Sequence, residues 1–304
     1  MIAQRTIPAR AWAELLLLAL LWGASFLSIR IALGEVTPLW SVAWRVGLGA
    51  AALLAWLAVR GIALPRGRVW LALGIMGILN NAIPFSLMAW AQLHIETGLT
   101  GILNAATAIF GVVVAAIAFA DERLTARRAL GVALGFAGVA TAVGWSALAA
   151  FDPRSHAQVA VIAGTVSYAV AGAFARARLG DLRPESAAAG MLVASTLAMI
   201  PLAFAVDGAP RLDLVPSTWL AMAYYGIGST ATAYLLYYRV LRMAGAGNLM
   251  LVTLLVAPVS IVLGALVLDE DLAPRAYAGF VLLALGLAIL DGRLFARARG
   301  NGSG

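Results

Sequence analysis

The sequence predicts an all-α polytopic membrane protein, with ten transmembrane helices in two inverted five-helix repeats around a central cavity. Three observations carry that expectation. The 304 residues are 63% hydrophobic and 12% charged, with a mean hydropathy of +0.94; a soluble domain holds about 45–50% apolar and about 25% charged residues. Apolar runs of membrane-spanning length follow one another, joined by short connections that carry arginine. One stretch is also written twice: Asp121 to Gly138 reads DERLTARRALGVALGFAG, and Asp269 to Gly286 reads DEDLAPRAYAGFVLLALG.

A spanning helix needs about 20 mostly apolar residues. The first half offers 11–33, 38–59, 69–91, 97–119 and 127–145; the second offers 157–179, 186–206, 217–239, 246–268 and 274–294. Breakers fall between them, at Gly34, Pro38, Gly61 to Pro65, Pro153, Gly180 to Pro184, Gly208 to Pro210 and Pro274. Two repeats are therefore expected at 1–145 and 157–294, with 295–304 as a cytoplasmic tail whose last residues, Asn301 to Gly304, read as an expression remnant. The first run lacks a small-residue cleavage site after a short apolar core, so it reads as a retained helix rather than a signal peptide.

All positive charge comes from arginine, and the net charge is +7. A nucleic-acid binder would gather such charge on one polar face; here it sits in loops, so the partner is the lipid bilayer and no nucleic acid. Cytoplasmic loops carry the Lys/Arg excess. With the N-terminus inside, sixteen arginines fall in inner segments and three, Arg154, Arg211 and Arg275, in outer loops. That alternation supports ten spans with both termini cytoplasmic. Arginine-only, alanine-rich usage points to a bacterial source, hence the cytoplasmic (inner) membrane. Trp12, Trp40, Trp56, Trp70, Trp90, Trp145, Trp219, Tyr237, Tyr238 and Tyr277 lie near span ends, as an aromatic belt requires. With no cysteine, disulfides and thiolate metal sites are excluded. His94 stands in an outer loop without a partner at metal-ligand spacing, so neither metal nor cofactor is expected.

The doubling extends along both halves. At an offset of 148, Asp121, Glu122, Leu124, Arg127, Gly131, Leu134 and Gly138 fall on Asp269, Glu270, Leu272, Arg275, Gly279, Leu282 and Gly286. At 146, Arg30, Leu33, Gly34 and Pro38 fall on Arg176, Leu179, Gly180 and Pro184; at 149, Trp70 to Ala72, Gly77, Ile78 and Ala82 fall on Trp219 to Ala221, Gly226, Ile227 and Ala231. Five spans per half is an odd number, so the second half must run upside down. The Asp121-Glu122 turn is then cytoplasmic and Asp269-Glu270 extracytoplasmic. Inverted repeats are a recurring design of secondary transporters, which rock two halves around a central site.

Trp22-Gly23-Ala24-Ser25-Phe26 with Pro38 and Arg45, the Glu122-Arg-Leu-Thr125 turn with Gly131 and Gly138, and Pro258, Glu270, Gly279 and Gly286 together resemble the EamA-type members of the drug/metabolite transporter superfamily. The resemblance runs from about Trp12 to Leu290 and is nearest to bacterial amino-acid exporters, including those for aromatic amino acids. It implies a cavity lined mainly by spans one, three, four, six, eight and nine. It also implies outward movement of amino acids or related metabolites, with a multidrug or other metabolite exporter as the alternative. The chain departs from the pattern at Ile109-Phe110, where the second half has Ala257-Pro258, so a proline hinge would be one-sided.

Arg45 lies about two turns below the outer end of its span, where a charge costs about 2.5–3.5 kcal/mol on insertion scales. It either meets a substrate carboxylate or pairs with Glu35 or Glu96, or snorkels outward; span two is not expected at the cavity, which favours pairing or snorkelling. Asn80-Asn81 and Ser229-Thr230 occupy equivalent midplane positions, and at most one of each pair can face a substrate. Asn104, Thr107 and Thr253 are further polar candidates, since polar side chains in spans either join helices or face water. Trp22, Phe85, Tyr168, Tyr224, Tyr225 and Tyr234 would suit an amphipathic or aromatic ligand, against ordinary core packing for most of them; Trp22 and Tyr168 align across the repeat.

Pro84, Pro201 and Pro258 are hinge candidates, and Glu122 and Glu270 are structural turns at helix N-termini. Gly131 and Gly135 form a close-packing motif, expected to serve contact within a half, and a monomer is compatible with all of this. Glu14 lies at the inner end of span one, and no Asp or Glu lies near a midplane, so gradient-driven movement is expected rather than obligatory proton exchange. An enzyme is not expected: no HExxH and no intramembrane aspartate pair occurs. A channel would need a ring of charge, and none is visible.

Overall fold

The computed structural model describes residues 7–95, 97–149, 151–152, 154–268 and 273–291. Among them all regular structure is helical, and the chain is an all-α polytopic membrane protein. In the first half, span one is α1 (Ala9–Gly23) and α2 (Ser25–Ala32), and span two is α3 (Pro38–Val59). Span three is α4 (Val69–Gly77), a π-helical stretch Ile78–Ala82 and α5 (Ile83–Ala91). Span four is α6 (Thr97–Ala105) and α7 (Thr107–Ala118), and span five is α8 (Ala126–Val143), followed by the short α9 (Trp145–Ala149). In the second half, α10 (His156–Leu179) and α11 (Pro184–Asp207) are continuous. Span eight is α12 (Pro216–Ala223), a π stretch Tyr224–Thr232 and α13 (Ala233–Ala244), span nine is α14 (Ala246–Met250) with α15 (Val252–Leu268), and span ten is α16 (Pro274–Asp291). Among the described residues, seven of these stretches, from Ala9–Ala32 to Pro184–Asp207, are long and apolar enough to cross a membrane; Ala246–Val259 and Pro274–Leu290 are shorter apolar helices.

Local chemistry sets the ends. Thr37 accepts the Trp40 N–H with Pro38 in the first turn of α3, and Thr125 caps α8 by accepting from Arg128 N. Gly245, at φ +87°, makes the turn from α13 into α14 in a conformation that a side chain would strain.

The irregularities fall in equivalent spans. Both π stretches lie mid-span in three and eight, the setting in which such turns accompany functional sites. Pro84 follows the first; lacking an N–H, it releases the Asn80 carbonyl, whose oxygen lies 3.4 Å from the Tyr234 hydroxyl oxygen. In the second, Thr230 and Thr232 hydroxyls donate to Tyr225 O (2.6 Å) and Ile227 O (3.3 Å). Spans four and nine break at Ala106 and Leu251. The helix break of span nine thus falls before Pro258, and α15 runs on through that proline; α11 likewise runs through Pro201.

The inversion is visible in how the doubled stretch packs. A Cβ built on Gly131 would stand 2.9 Å from Gly286 O, and one on Gly138 would stand 2.7 Å from Gly279 O. The first glycine of one copy thus meets the last of the other, as antiparallel helices require. The expectation that Gly131 and Gly135 serve contacts within a half is corrected: they face α16 and Leu254 of α15, across the halves. Exchanging the halves reproduces the rest of the packing: α3 lies on α11, α10 packs on α5 as α1 packs on α13, and α10 packs on α7 as α1 packs on α15.

Leu71 and its equivalent Leu220 project outward, as do Leu197 and Val281, giving the apolar exterior that a bilayer solvates. Trp56, Trp90, Trp145 and Tyr277 are exposed near span ends. Trp40, Tyr237 and Tyr238 are not belt residues, because all three are buried. Trp40 donates to Gly208 O at 3.0 Å and packs edge-on against Phe204. Span eight continues to Ala244, past the expected end at 239, which draws both tyrosines into the core.

Candidate substrate site

A cavity of about 880 Å³, its mouth included, lies between the two halves. Span one contributes Trp22, Ser25 and Phe26, and span two contributes Ser41 and Arg45. Span three adds Asn80, Phe85 and Gln92; span four adds Asn104 and Thr107. Tyr168 comes from span six, Tyr234 and Tyr237 from span eight, and Met250 and Thr253 from span nine. Span two therefore lines the cavity, against the expectation drawn from the family resemblance.

Arg45 is 8% exposed. Its Nε donates to Thr230 Oγ1 at 2.8 Å, and its guanidinium carbon sits 3.9 Å from the Phe85 ring centroid, a stacking worth about 2 kcal/mol when desolvated. The expected pairing with Glu35 does not form: that carboxylate accepts the Thr218 hydroxyl at 2.6 Å and Val215 N at 3.1 Å. Glu96 lies outside the described residues. Nor does Arg45 snorkel outward, since the aromatic wall holds it in place.

That wall is itself fixed by hydrogen bonds. Trp22 donates to Ser229 O at 3.0 Å and meets Tyr234 edge-on, with centroids 6.4 Å apart; Phe85 packs edge-on against Tyr168 at 6.3 Å. Asn80 donates to the Tyr234 hydroxyl at 3.1 Å, and that hydroxyl donates to Asn81 Oδ1. Asn81 in turn donates to Ser195 Oγ at 2.7 Å. At the two helix breaks, Thr107 donates to Asn104 O (2.6 Å) and Thr253 to Met250 O (2.8 Å), the same device in each half.

The candidate residues separate accordingly. Trp22, Arg45, Asn80, Phe85, Asn104, Thr107, Tyr168 and Thr253 line the cavity. Asn81, Tyr224, Ser229 and Thr230 do not: Asn81 joins span three to α11, and Tyr224 donates to Leu21 O at 3.3 Å. Ser229 donates to Tyr225 O, and Thr230 supports Arg45 from behind. Ser25, Phe26, Ser41, Gln92 and Tyr237 were missed. Ser41 stands one turn from Arg45, which was a usable signal; Gln92 read as outer loop but is the C-cap of α5.

Beyond the cavity, Glu122 is 1% exposed and joins the halves. It caps not its own helix but α14: Ala246 N donates to it at 2.8 Å and Gly247 N at 2.7 Å. Arg176 pairs with Glu122 and with Asp121 (2.6 Å), and Arg128 stands 3.7 Å from Glu122. Charge-assisted bonds of this kind contribute about 1.5–3 kcal/mol each. Glu14 on α1 pairs with Arg239 on α13, a second tie across the halves. Glu270 lies outside the described residues.

The family model of the EamA-like transporter family matches the chain twice, over residues 11–144 and 156–290. The chain belongs to the EamA-like transporter family. Among curated relatives of this EamA-like transporter, an uncharacterized transporter of Archaeoglobus fulgidus is 28% identical over 232 residues, 76% of this chain and 79% of that protein. A probable terminal-alkyne amino-acid exporter of Streptantibioticus cattleyicolor is 25% identical, covering 95% of each chain. A probable amino-acid metabolite efflux pump of Escherichia coli is 26% identical over 90% of this chain and 92% of its own. A solved crystal structure shares the fold of this EamA-like chain with a TM-score of 0.79 at 21% identity, over 96% of this chain and 99% of that one.

Proposed function

We propose that this EamA-like transporter moves small carboxylate-bearing metabolites, amino acids among them, outward across the bacterial cytoplasmic membrane by alternating access. Two repeats, 1–145 and 157–294, rock against each other around the cavity. The observation that carries the reading is Arg45: a guanidinium buried in the cavity wall, stacked on Phe85 and held by a neutral hydroxyl. A buried charge needs a partner, and among the described residues no carboxylate forms an ion pair with it. A substrate carboxylate fits that place, and two relatives bear amino-acid names.

The lining reaches the last turns of spans one and three, at Ile29 and Gln92. At the opposite end the Glu122 cluster and the Glu14–Arg239 pair join the halves. By the arginine distribution that closed end is cytoplasmic, so this conformation opens outward. No described residue lining the cavity is acidic, which supports gradient-driven movement over obligatory proton exchange. Purified protein in liposomes tests the function across an amino-acid panel. Saturable, mutually competing exchange that is lost in Arg45→Gln is expected without a pH gradient; non-saturating flux would point to a channel instead.

A further inference from the structure

The hydrogen bond that holds Arg45 crosses between the halves, from α3 to the π stretch Tyr224–Thr232, and three features shape it. The first is close approach. A Cβ built on Gly49, one turn along α3 from Arg45, would stand 3.0 Å from Gly226 O and 3.1 Å from Thr230 Cγ2; one built on Gly226 would stand 2.7 Å from Leu48 Cβ. Two glycines thus let the π stretch lie against α3. The second is direction. Thr230 has one hydroxyl proton, and it goes to Tyr225 O at 2.6 Å, five residues back, where a π turn puts an acceptor. The hydroxyl therefore meets Arg45 Nε, at 2.8 Å, as an acceptor. The third is the ring beneath. Stacking on Phe85, with the guanidinium carbon 3.9 Å from the centroid, sets the plane of the guanidinium but not its rotation within that plane. The bond to Thr230 sets the rotation.

A guanidinium grips a carboxylate through two parallel N–H bonds, so its orientation decides how well it binds. With Nε committed to Thr230, the edge that Nε shares with a terminal nitrogen is taken, and the edge formed by the two terminal nitrogens remains for such a grip. Resting on the carboxylate reading above, the geometry assigns Thr230 as the positioning residue of the substrate site. From the half opposite Arg45, and without lining the cavity, it fixes the guanidinium in the orientation that receives the substrate carboxylate. Its neighbour Ser229 donates to the same Tyr225 carbonyl, at 3.2 Å, and takes no part in holding Arg45. The equivalent position in the first half is Asn81, which donates to Ser195 instead, so the arrangement serves the charged side of the cavity.

Exchange of radiolabelled L-phenylalanine by the purified full-length protein in liposomes tests this, with KM and maximal rate measured separately. Thr230→Val keeps the shape and removes the hydroxyl; it is expected to raise KM at least tenfold and to leave the maximal rate within about twofold of wild type. Thr230→Ser restores the hydroxyl and should bring KM back to within about threefold of wild type. Ser229→Ala removes a hydroxyl from the same carbonyl without touching Arg45 and should leave KM unchanged. A merely structural role would lower the amount of active protein, and with it the maximal rate, while KM stayed put. If Thr230→Val keeps the wild-type KM, or if Ser229→Ala raises KM as much as Thr230→Val does, the positioning role is overturned and the carboxylate reading stands. If wild-type protein exchanges no L-phenylalanine, or Arg45→Gln is as active as wild type, the inference falls together with that reading.

Discussion

Arg45 and Asn81 are both buried polar residues on spans, yet they do opposite work. Arg45 donates to Thr230 and lines the cavity, stacked on Phe85. Asn81 is used up by protein partners, accepting from Tyr234 and donating to Ser195. Asn81→Ala should therefore cost about 1–3 kcal/mol of stability, the scale of a buried partner left unsatisfied, read as a lower midpoint of thermal unfolding in detergent. Arg45→Gln gives up the stacking on Phe85 together with the desolvation cost of an unpaired buried charge, so it should lower that midpoint less than Asn81→Ala does and remove substrate binding. The sequence placed both residues at membrane depth, because polarity in an apolar run is legible. Which partner a polar residue finds is not, since that depends on the rotation of each helix about its axis. The same limit explains Tyr237: its place near a span end suggested the interface, and only the extension of α13 to Ala244 takes it into the wall.

The helices themselves were legible to within about a turn, because their length, caps and breakers follow from composition. Their irregularities were not. Proline marked Pro258 as the bend, but the break falls at Leu251, and the π stretches carry no single residue signature. Glycine contacts give a sharp test at this scale. A Cβ on Gly138 would stand 2.5 Å from the Leu283 backbone N, so Gly138→Ala should destabilise by about 1–3 kcal/mol through overpacking. Gly74 has nothing within 4 Å of an added Cβ, so Gly74→Ala should be neutral or slightly stabilising.

The connection after α2 offers a pH test. The Thr218 hydroxyl, then the Val215 N–H, hold the Glu35 carboxyl below its ordinary value of 4.5. A depressed native pKa gives stability that is present above the unfolded value and lost as pH falls through the native one. Glu35→Gln should therefore lower thermal stability slightly at neutral pH and flatten its decline below about pH 4.5, so that the two proteins converge in acid.

At the scale of the whole molecule, the doubled stretch turned out to meet itself. Its glycines, aligned along the chain, face one another antiparallel across the interface of the halves, which agrees with the odd number of spans per half. The acidic turn of the first copy was expected to serve a nearby helix N-terminus. Glu122 instead holds α14 from the other half, so the turn is part of the closure and not only a connection. Glu122→Gln should loosen that closure and, in the orientation proposed above, raise maleimide access to neighbouring introduced thiols from the cytoplasmic side.

The chain contains no cysteine, so one introduced thiol reports alone. Ala89 lies on the cavity wall, and Ala115 packs 3.2 Å from a Cβ built on Gly247, beside Glu122. The most direct measurement labels Ala89→Cys and Ala115→Cys separately in proteoliposomes, with an impermeant maleimide on either side of the membrane. Alternating access predicts that a saturating transported substrate lowers labelling of Ala89→Cys from outside and raises labelling of Ala115→Cys from the cytoplasmic side. Thiols that rise together, fall together or ignore the substrate would contradict it.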